Sequence, residues 1–170
     1  MQIRDEMPAD APAVEAVVRA AFAGMPYSDG SETRIVDALR RAGASAVTLV
    51  AVEGAGAGEA VVGHIMFSPV TIDGRSCGWH GLGPLAVRPD REHRGIGSTL
   101  VTEGLTRLRG LGSGGCVVLG DTGYYGRFGF RHDQRLTAPG LPAEHFMVLP
   151  FAEDVPSGAV AYHPGFFVES

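Results

Sequence analysis

The chain has 170 residues, of which 45% are hydrophobic and 19% charged, and its formal net charge at pH 7 is −5. This composition is typical of a folded globular protein and argues against a disordered one. The negative charge argues against a general nucleic-acid binder, which needs clustered Lys and Arg. No apolar run approaches the ~20 residues that span a bilayer, so we expect neither nucleic acid nor membrane as a partner.

The start of the chain and its cysteines favour a cytoplasmic location. MQIRDEMPAD lacks the apolar core of a secretory signal. Cys77 and Cys116 form no CxxC and no short Cys/His spacing, which argues against a disulfide framework or a structural zinc. His93, His132, His145 and His163 show no metal-ligand spacing either, so we expect no metal site.

The first quarter of the chain predicts a short edge strand and two helices. The edge strand covers residues 2–6. Apolar residues recur at helical spacing over 8–23, and a second helix runs from Ser31, a candidate N-cap, to about Gly43. Between them, residues 24–30 (GMPYSDG) form a turn-rich segment.

A change of periodicity then indicates strands. Residues 47–52 and 60–70 are apolar and rich in β-branched side chains, and the flexible sequence GAGAGE separates them, which is typical of a hairpin. Pro69 predicts that the second strand ends or bulges there, and residues 71–74 (TIDG) supply the next turn.

The second half of the chain alternates short strands with helices. The predicted elements are a strand with Leu82, Leu85 and Val87, a helix over 95–108, a strand over 116–120, helical turns over 124–129, and strands at 146–149 and 159–162.

The order of these elements is strand, two helices, three strands, helix, strand, short helix and strands. Because it neither alternates strictly nor segregates helices from strands, we expect an α/β (α+β) fold with a mixed sheet and helices on both faces. The sequence shows no repeat and no linker, so residues 1–170 are predicted to form a single domain.

One segment, residues 89–98, has the character of an anion site; it is called the glycine loop below. It combines Gly95 and Gly97 with several cationic side chains and leads into the helix over 95–108. Glycines let backbone N–H groups approach a ligand closely, and a helix start presents free N–H donors at the positive end of its dipole. The segment therefore predicts phosphate binding.

Two common phosphate motifs do not fit this loop. A P-loop needs a lysine after its second glycine, where this chain has Ser98 and Thr99. A dinucleotide fingerprint needs three glycines after the first strand, and only two are in register here, so that alternative is weak.

Two motifs instead resemble the GNAT family of N-acetyltransferases. The first joins the strand Leu85-Ala86-Val87 and Pro89 to Arg94-Gly95-Ile96-Gly97-Ser98 and Leu100, a pattern similar to the central acetyl-CoA motif of that family. The second, residues 117–130 (VVLGDTGYYGRFGF), is similar to its next strand and short helix. The segments GHIMFSPV and YYGRFGF also resemble a branch of predicted acetyltransferases, so the resemblance covers most of the chain.

The resemblance implies the fold, the cofactor and the residues that hold it. It implies a largely antiparallel central sheet of six to seven strands flanked by about four helices, and acetyl-CoA as co-substrate. The implied cofactor-binding residues are Leu85, Ala86, Val87, His93, Arg94, Gly95, Ile96, Gly97, Ser98 and Thr99.

One residue departs from the family pattern. Glu92 stands where the family usually has Gln or Arg, and a carboxylate close to a pyrophosphate is unfavourable. Because the implied contacts are mainly backbone N–H groups, the site survives if Glu92 points away or pairs with Arg88 or Arg91.

The resemblance implies direct transfer of an acetyl group from the thioester to an amine, and it assigns one side chain. Tyr125 is the expected acid for the departing thiolate, because it matches the tyrosine of the family motif. The backbone near Leu85 to Val87 supplies N–H donors for the carbonyl oxygen. The alternative for Tyr125 is a purely packing role beside other aromatic side chains.

The base that deprotonates the amine stays open. Glu32, His64 and His80 are candidates, and a water chain to bulk solvent competes with them on equal terms. Each side chain also has a purely structural explanation. A histidine in a strand is often a core residue whose ring nitrogens are hydrogen-bonded, and a glutamate at a helix start interacts favourably with the helix dipole.

The sequence therefore predicts an N-acetyltransferase that uses acetyl-CoA and a primary amine of a small molecule or peptide. The alternative is a non-catalytic acyl-CoA-binding or regulatory module on the same fold. The acceptor is not specified, although the net acidity favours a cationic one. The aromatic residues Tyr162, Phe166 and Phe167 near the C-terminus are interpreted as core or as a homodimer contact.

Overall fold

The computed structural model of the protein describes residues 1–26 and 28–167. Its helices are α1 (Ala11–Phe22), α2 (Glu32–Arg41), α3 (Ile96–Gly110) and α4 (Thr122–Gly126). Its strands are β1 (Gln2–Asp5), β2 (Val47–Glu53), β3 (Ala60–Ile72), β4 (Arg75–Val87), β5 (Gly115–Leu119), β6 (Leu136–Thr137), β7 (Phe146–Pro150) and β8 (Gly158–Ala161).

The described strands form one mixed, mostly antiparallel sheet. Its order is β1-β2-β3-β4-β5-β7, and β8 pairs with both β3 and β6. The β4–β5 and β6–β8 pairs are parallel, and the others are antiparallel. The predicted fold class is confirmed. The sheet has eight described strands instead of six to seven because the two residues of β6 are too few to show a periodic pattern.

Helices cover both faces of the sheet, as expected. On one face α3 buries an apolar stripe against the centre of the sheet, through Ile96, Leu100, Val101, Leu105 and Leu108. On the other face α1 and α2 pack against β2, β3 and β4, through Val14, Val17, Val18, Ile35, Val36 and Leu39. The sheet is thus the middle layer of three.

Close packing of α3 on the sheet depends on one glycine. Gly104 faces Phe67 of β3, and a Cβ at this position would overlap the phenylalanine ring. The absence of a side chain therefore lets the helix approach the strand directly, and it fixes the helix start relative to β4.

Several element boundaries differ from the sequence expectation. β4 begins at Arg75 and not near Leu82. The sequence pattern did not indicate this earlier start, because the first four residues of the strand are exposed and show no apolar alternation. The turn before it is confined to Asp73 and Gly74, whose φ angles of 51° and 76° suit a tight hairpin. Ser31 is the N-cap residue of α2, as predicted, but its side chain makes no capping hydrogen bond.

β4 and β5 pair only over part of their length. Their parallel register runs from Trp79 opposite Gly115 to Leu82 opposite Val118, and beyond that point β4 continues to Val87 along β3. Gly83 and Pro84 together oppose Met66, which makes a bulge. Pro84 has no N–H to donate to a neighbouring strand. The sheet therefore opens into a fork whose apex is the Leu82–Val118 pair.

Candidate active site

A cavity of about 640 Å³ lies at the open side of this fork; it is called the large cavity below. It is bounded by the end of α1, the last residues of β4, the glycine loop, the start of α3 and the helix α4. Its lining residues are Ala21, Phe22, Met25, Leu85, Ala86, Val87, Arg91, Glu92, His93, Gly95, Ile96, Gly97, Ser98, Tyr124 and Arg127.

Most of the residues predicted to bind the cofactor line this cavity. Leu85, Ala86 and Val87 form its floor along β4, and His93, Gly95, Ile96, Gly97 and Ser98 form one wall. Arg94 and Thr99 belong to the same segment but are not among the lining residues. The segment that the sequence motif predicts to bind the cofactor is therefore also the segment that lines the cavity.

The start of α3 presents backbone donors to the cavity. Gly95 and His93 have positive φ angles of 81° and 63°, which turn the chain sharply before the helix. The first N–H groups of a helix have no intrahelical acceptor, so those of Ile96, Gly97 and Ser98 remain available. Thr99 is different, because its N–H and its hydroxyl both donate to the carbonyl oxygen of Gly95, at 3.0 and 2.8 Å.

Glu92, one of the two acidic residues of the glycine loop, lines the large cavity and has no arginine partner among the described residues. Arg88 donates to the carboxylate of Asp90 at 2.6 Å, and Arg91 donates to Glu53 at 3.0 Å. Atom Nε2 of His93 lies 4.0 Å from the Glu92 carboxylate. Glu92 therefore pairs with neither Arg88 nor Arg91 among the described residues. Of the two conditions under which the site survives, only a carboxylate that points away from the phosphates remains.

Tyr124 of α4 and Arg127, directly after that helix, are among the cavity residues that were not identified from the sequence. The hydroxyl oxygen of Tyr124 lies 2.9 Å from the point where a Cβ on Gly97 would stand, so this glycine admits the tyrosine to the helix start. Arg127 donates to Oγ of Ser98 at 3.3 Å, and its guanidinium lies 5.4 Å from the centroid of the Tyr124 ring. α4 thus adds an aromatic ring and a cation to the cavity.

Tyr125 lies on the β5 side of the fork, away from β4. Its Cε2 atom lies 2.5 Å from the position of a Cβ on Gly120, directly after β5. Its ring is packed edge-on against Phe130, with centroids 5.8 Å apart, and against Tyr124, 5.0 Å away. Tyr125 is half-buried beside the core under α3 and is not among the residues that line the large cavity.

Neither candidate histidine lines that cavity. His80 shares a hydrogen bond of 2.8 Å between its Nδ1 and Oγ of Ser113, at the far end of α3 from the glycine loop. Burial lowers the pKa of His80. His64 is fully buried, and neither ring nitrogen has a hydrogen-bond partner among residues 1–26 and 28–167. Burial, with a smaller contribution from Arg40, lowers the pKa of His64 to about 3.

Glu32 occupies a second, smaller cavity of about 230 Å³ between the end of α1 and the start of α2. Its carboxylate accepts a hydrogen bond of 2.5 Å from the hydroxyl of Ser28. No ion pair of Glu32 is found in the described part of the chain. Phe22 and Met25 line both cavities, so the carboxylate lies next to the larger one.

The described residues contain neither a metal-binding cluster nor a membrane-spanning helix. No group of three or more His, Cys, Asp or Glu in the described ranges is arranged to hold a metal ion. No described helix is both long and apolar enough to cross a membrane.

Comparison with known proteins gives this cavity a family context. The model of the acetyltransferase (GNAT) family matches residues 14–130, which include the glycine loop and α4. The uncharacterized N-acetyltransferase YhbS of Escherichia coli strain K12 is 37% identical over 98% of this chain and 98% of its own length.

Two solved structures have the same fold over nearly the whole chain. A GNAT family acetyltransferase from Brucella melitensis, in complex with acetyl-CoA, is 48% identical with a TM-score of 0.85, over 97% of each chain. YhbS from Escherichia coli, in complex with CoA, is 35% identical with a TM-score of 0.86, over 99% of this chain and 93% of that one. The matches in sequence and in fold agree, and the chain belongs to the GNAT family of acetyltransferases.

Proposed function

We propose that the chain transfers an acetyl group from acetyl-CoA to a primary amine of a small molecule or peptide. The observation that carries this proposal is the cavity that joins the glycine loop to the unpaired edge of β4. The relatives crystallised with acetyl-CoA and with CoA support the same donor.

The cavity offers two chemically different surfaces to that donor. Backbone N–H groups at the start of α3 suit the phosphates, because they combine hydrogen bonds with the positive end of the helix dipole. The edge of β4 from Leu85 to Val87 suits an amide-containing chain, because it offers backbone donors and acceptors that β5 leaves unpaired. We propose the full set from Leu85 to Val87 and from His93 to Thr99 as the cofactor-binding residues.

The transfer needs three groups around the acetyl carbon. The neutral amine nitrogen attacks the carbonyl carbon, the oxygen takes up the electron pair, and the C–S bond then breaks. In this scheme a β4 backbone N–H stabilises the oxygen, and the Tyr125 hydroxyl gives its proton to the thiolate. The proton lost by the amine leaves through Glu32 or through water, and solvent restores the Tyr125 proton.

The acceptor is proposed to enter beside α1 and α2. The Glu32 carboxylate has a hydroxyl partner but no described cationic one, and a carboxylate in a cavity favours a cationic ligand. Phe22, Met25 and Val18 provide apolar surface next to it. A small amine fits this arrangement, and Glu32→Gln is expected to raise the KM for a cationic acceptor.

Thiol release from acetyl-CoA in the presence of an amine panel tests the proposal. The panel contains amino acids, polyamines, aminoglycosides and peptides with free N-termini. Release with at least one amine supports the transferase. Binding of acetyl-CoA without any accepted amine would favour the non-catalytic acyl-CoA-binding module instead.

Several further expectations stay predictions. We propose that residues 1–170 act as one domain, in the cytoplasm, without nucleic acid as a partner. A homodimer is a further proposal, and light scattering tests it. Of the tail residues, Tyr162 is buried and Phe166 packs on the core, whereas Phe167 is 62% exposed and is the one available for such a contact.

A further inference from the structure

Two buried hydroxyl groups near the apex of the fork have no described partner. Ser68 on β3 is fully buried and Tyr162, directly after β8, is 8% exposed. Neither Oγ of Ser68 nor the hydroxyl oxygen of Tyr162 forms a hydrogen bond within residues 1–26 and 28–167. A buried hydroxyl without a partner costs about 1–3 kcal/mol, so two at one place call for an explanation.

Both side chains lie beside Gly81, one residue before the apex. Cε1 of Tyr162, the ring carbon next to the one that bears the hydroxyl, lies 2.6 Å from the position of a Cβ on Gly81. Ser68 is directly opposite Gly81 in the antiparallel β3–β4 register. Opposite residues of such a pair point to the same face, so Ser68 extends on the face that Tyr162 covers.

The same face leads to the unpaired part of β4. Phe166 packs against Tyr162 with ring centroids 5.1 Å apart. Its ring also lies 3.8 Å from the position of a Cβ on Gly83, the first β4 residue beyond the apex. The hydroxyl pair therefore lies where β4 and β5 separate, at the inner end of the edge that runs to Leu85 and Val87.

In the proposed function, this inner end is where the acyl group arrives. Phosphates held at the glycine loop place the nucleotide end of acetyl-CoA at the mouth of the cavity. The thioester is at the opposite end of the molecule and runs along β4 towards the apex. We propose that the hydroxyls of Ser68 and Tyr162 bind the acyl carbonyl oxygen, as a donor site beyond the backbone N–H groups of β4.

The protonation state of Tyr162 fits a donor. Burial raises its pKa, with smaller contributions from Cys116 and Tyr125, so the hydroxyl keeps its proton at any working pH. A permanent donor stabilises an oxygen that gains negative charge, and it does not act as a base. The electron pair of the carbonyl moves onto that oxygen during attack and returns when the C–S bond breaks, and no proton leaves either hydroxyl.

The inference rests on the proposed function, and a binding measurement tests it without an acceptor. CoA lacks the acyl oxygen that acetyl-CoA carries. The ratio of the two dissociation constants, Kd(CoA)/Kd(acetyl-CoA), therefore reports contacts to the acyl group. Isothermal titration of the full chain gives this ratio for the wild type, Tyr162→Phe and Ser68→Ala.

We expect each variant to lower the ratio about three- to tenfold, the value of one neutral hydrogen bond, with the Kd of CoA unchanged. Tyr162→Phe should also keep or raise the Tm of the unliganded protein, because it removes an unpartnered polar atom. Phe166→Leu is the matched control, since it alters packing beside Tyr162 without removing a donor, and its ratio should equal that of the wild type.

Three outcomes would overturn the inference. An unchanged ratio in both variants shows that the hydroxyls do not touch the acyl group, and a lower Tm of Tyr162→Phe with an unchanged ratio assigns them to the fold. Failure of the proposed function looks different, because the wild type then binds neither ligand or binds both and accepts no amine. Binding of neither ligand overturns the inference as well, whereas binding of both leaves the ratio to decide it.

Discussion

Tyr124 and Tyr125 are neighbours in the chain but lie in different surroundings. Tyr124 lines the large cavity beside Gly97, whereas Tyr125 packs over Gly120 at the end of β5. We expect substitutions at the two positions to cause different kinetic defects. Tyr124 lines the proposed cofactor site, whereas Tyr125 is proposed to lie beside the departing thiol. Their separation was not visible in the sequence YYGRFGF.

Phenylalanine substitution at each position should separate these roles. Tyr125→Phe is expected to lower kcat by about 10²- to 10⁴-fold with little change in the KM for acetyl-CoA, because a general acid is removed. Tyr124→Phe is expected to raise that KM with little change in kcat. Steady-state thiol release with an accepted amine measures both. The reverse result would move the acid to Tyr124.

We expect the Glu92 carboxylate to weaken acetyl-CoA binding at the proposed cofactor site. This carboxylate lines the cavity while Arg88 and Arg91 are occupied by Asp90 and Glu53. Glu92→Gln should therefore lower the Kd for acetyl-CoA by about two- to fivefold at low ionic strength, and by less at high salt, because exposed charges are screened.

Titration calorimetry at two salt concentrations measures this effect. Glu103→Gln is the matched control, since it makes the same change in net charge on the exposed side of α3, where Glu103 pairs with Arg107. Equal affinities of Glu92→Gln and the wild type would show that the Glu92 carboxylate is remote from the phosphates.

At the scale of elements, α3 has to approach the sheet closely to place its N-terminus at the cavity. Gly104→Ala introduces a methyl group that overlaps the ring of Phe67. Overpacking of this kind costs about 1–3 kcal/mol of unfolding free energy, and the shifted helix start should also weaken acetyl-CoA binding.

Gly110→Ala tests whether the effect is specific to that contact. Gly110 ends the same helix, and a Cβ there meets open space. Alanine is the better helix former by up to about 1 kcal/mol, so this variant should be neutral or slightly more stable. Urea unfolding compares the two, and a Gly104→Ala protein as stable as Gly110→Ala would contradict the packing argument.

Most elements of the sheet and helices could be predicted because their apolar residues are periodic. The stripe of α3 and the alternation of β2 and β3 are visible within single segments. The first part of β4 and the two residues of β6 lack such a pattern, since Arg75 to Gly78 are exposed and β6 is too short. Their strand conformation depends on partners distant in the sequence.

The residues of the site likewise divide into those that the sequence predicts and those that only the fold brings together. The glycine loop and the last residues of β4 lie in one segment, and the motif identified most of the residues that line the cavity. Arg127 reaches Ser98 across 29 positions, and Phe22 and Met25 come from the end of α1. Such contacts exist only in the folded chain. The same holds for the ion pairs of Arg88 with Asp90 and of Arg91 with Glu53, which leave neither arginine to pair with Glu92.

At the scale of the whole molecule, His64 links stability to pH. Its pKa is about 3 in the folded chain and near 6.5 when unfolded, so below pH 6.5 the unfolded chain binds a proton that the folded chain excludes. This contribution to stability is therefore complete above pH 6.5 and is lost as the pH falls towards 3. Its slope reaches about 1.4 kcal/mol per pH unit.

His64→Leu removes this titration and serves as its test. Between pH 7 and pH 5 the wild type should lose about 2 kcal/mol more unfolding free energy than the variant. Urea unfolding at both pH values measures the difference, in which His80 and the carboxylates cancel because both proteins contain them. Parallel losses in the two proteins would show that His64 is charged or solvated in the folded state.

The fork also bears on self-association. An unpaired strand edge normally invites a strand of another molecule, and proteins guard such edges at the rim of a sheet. Here the free edge of β4 lies between β3 and the departing β5, inside a cleft walled by α1, α3 and α4, where a thin extended molecule enters more easily than a second sheet. The chain thereby keeps an open edge for a ligand while shielding it from intermolecular β-pairing.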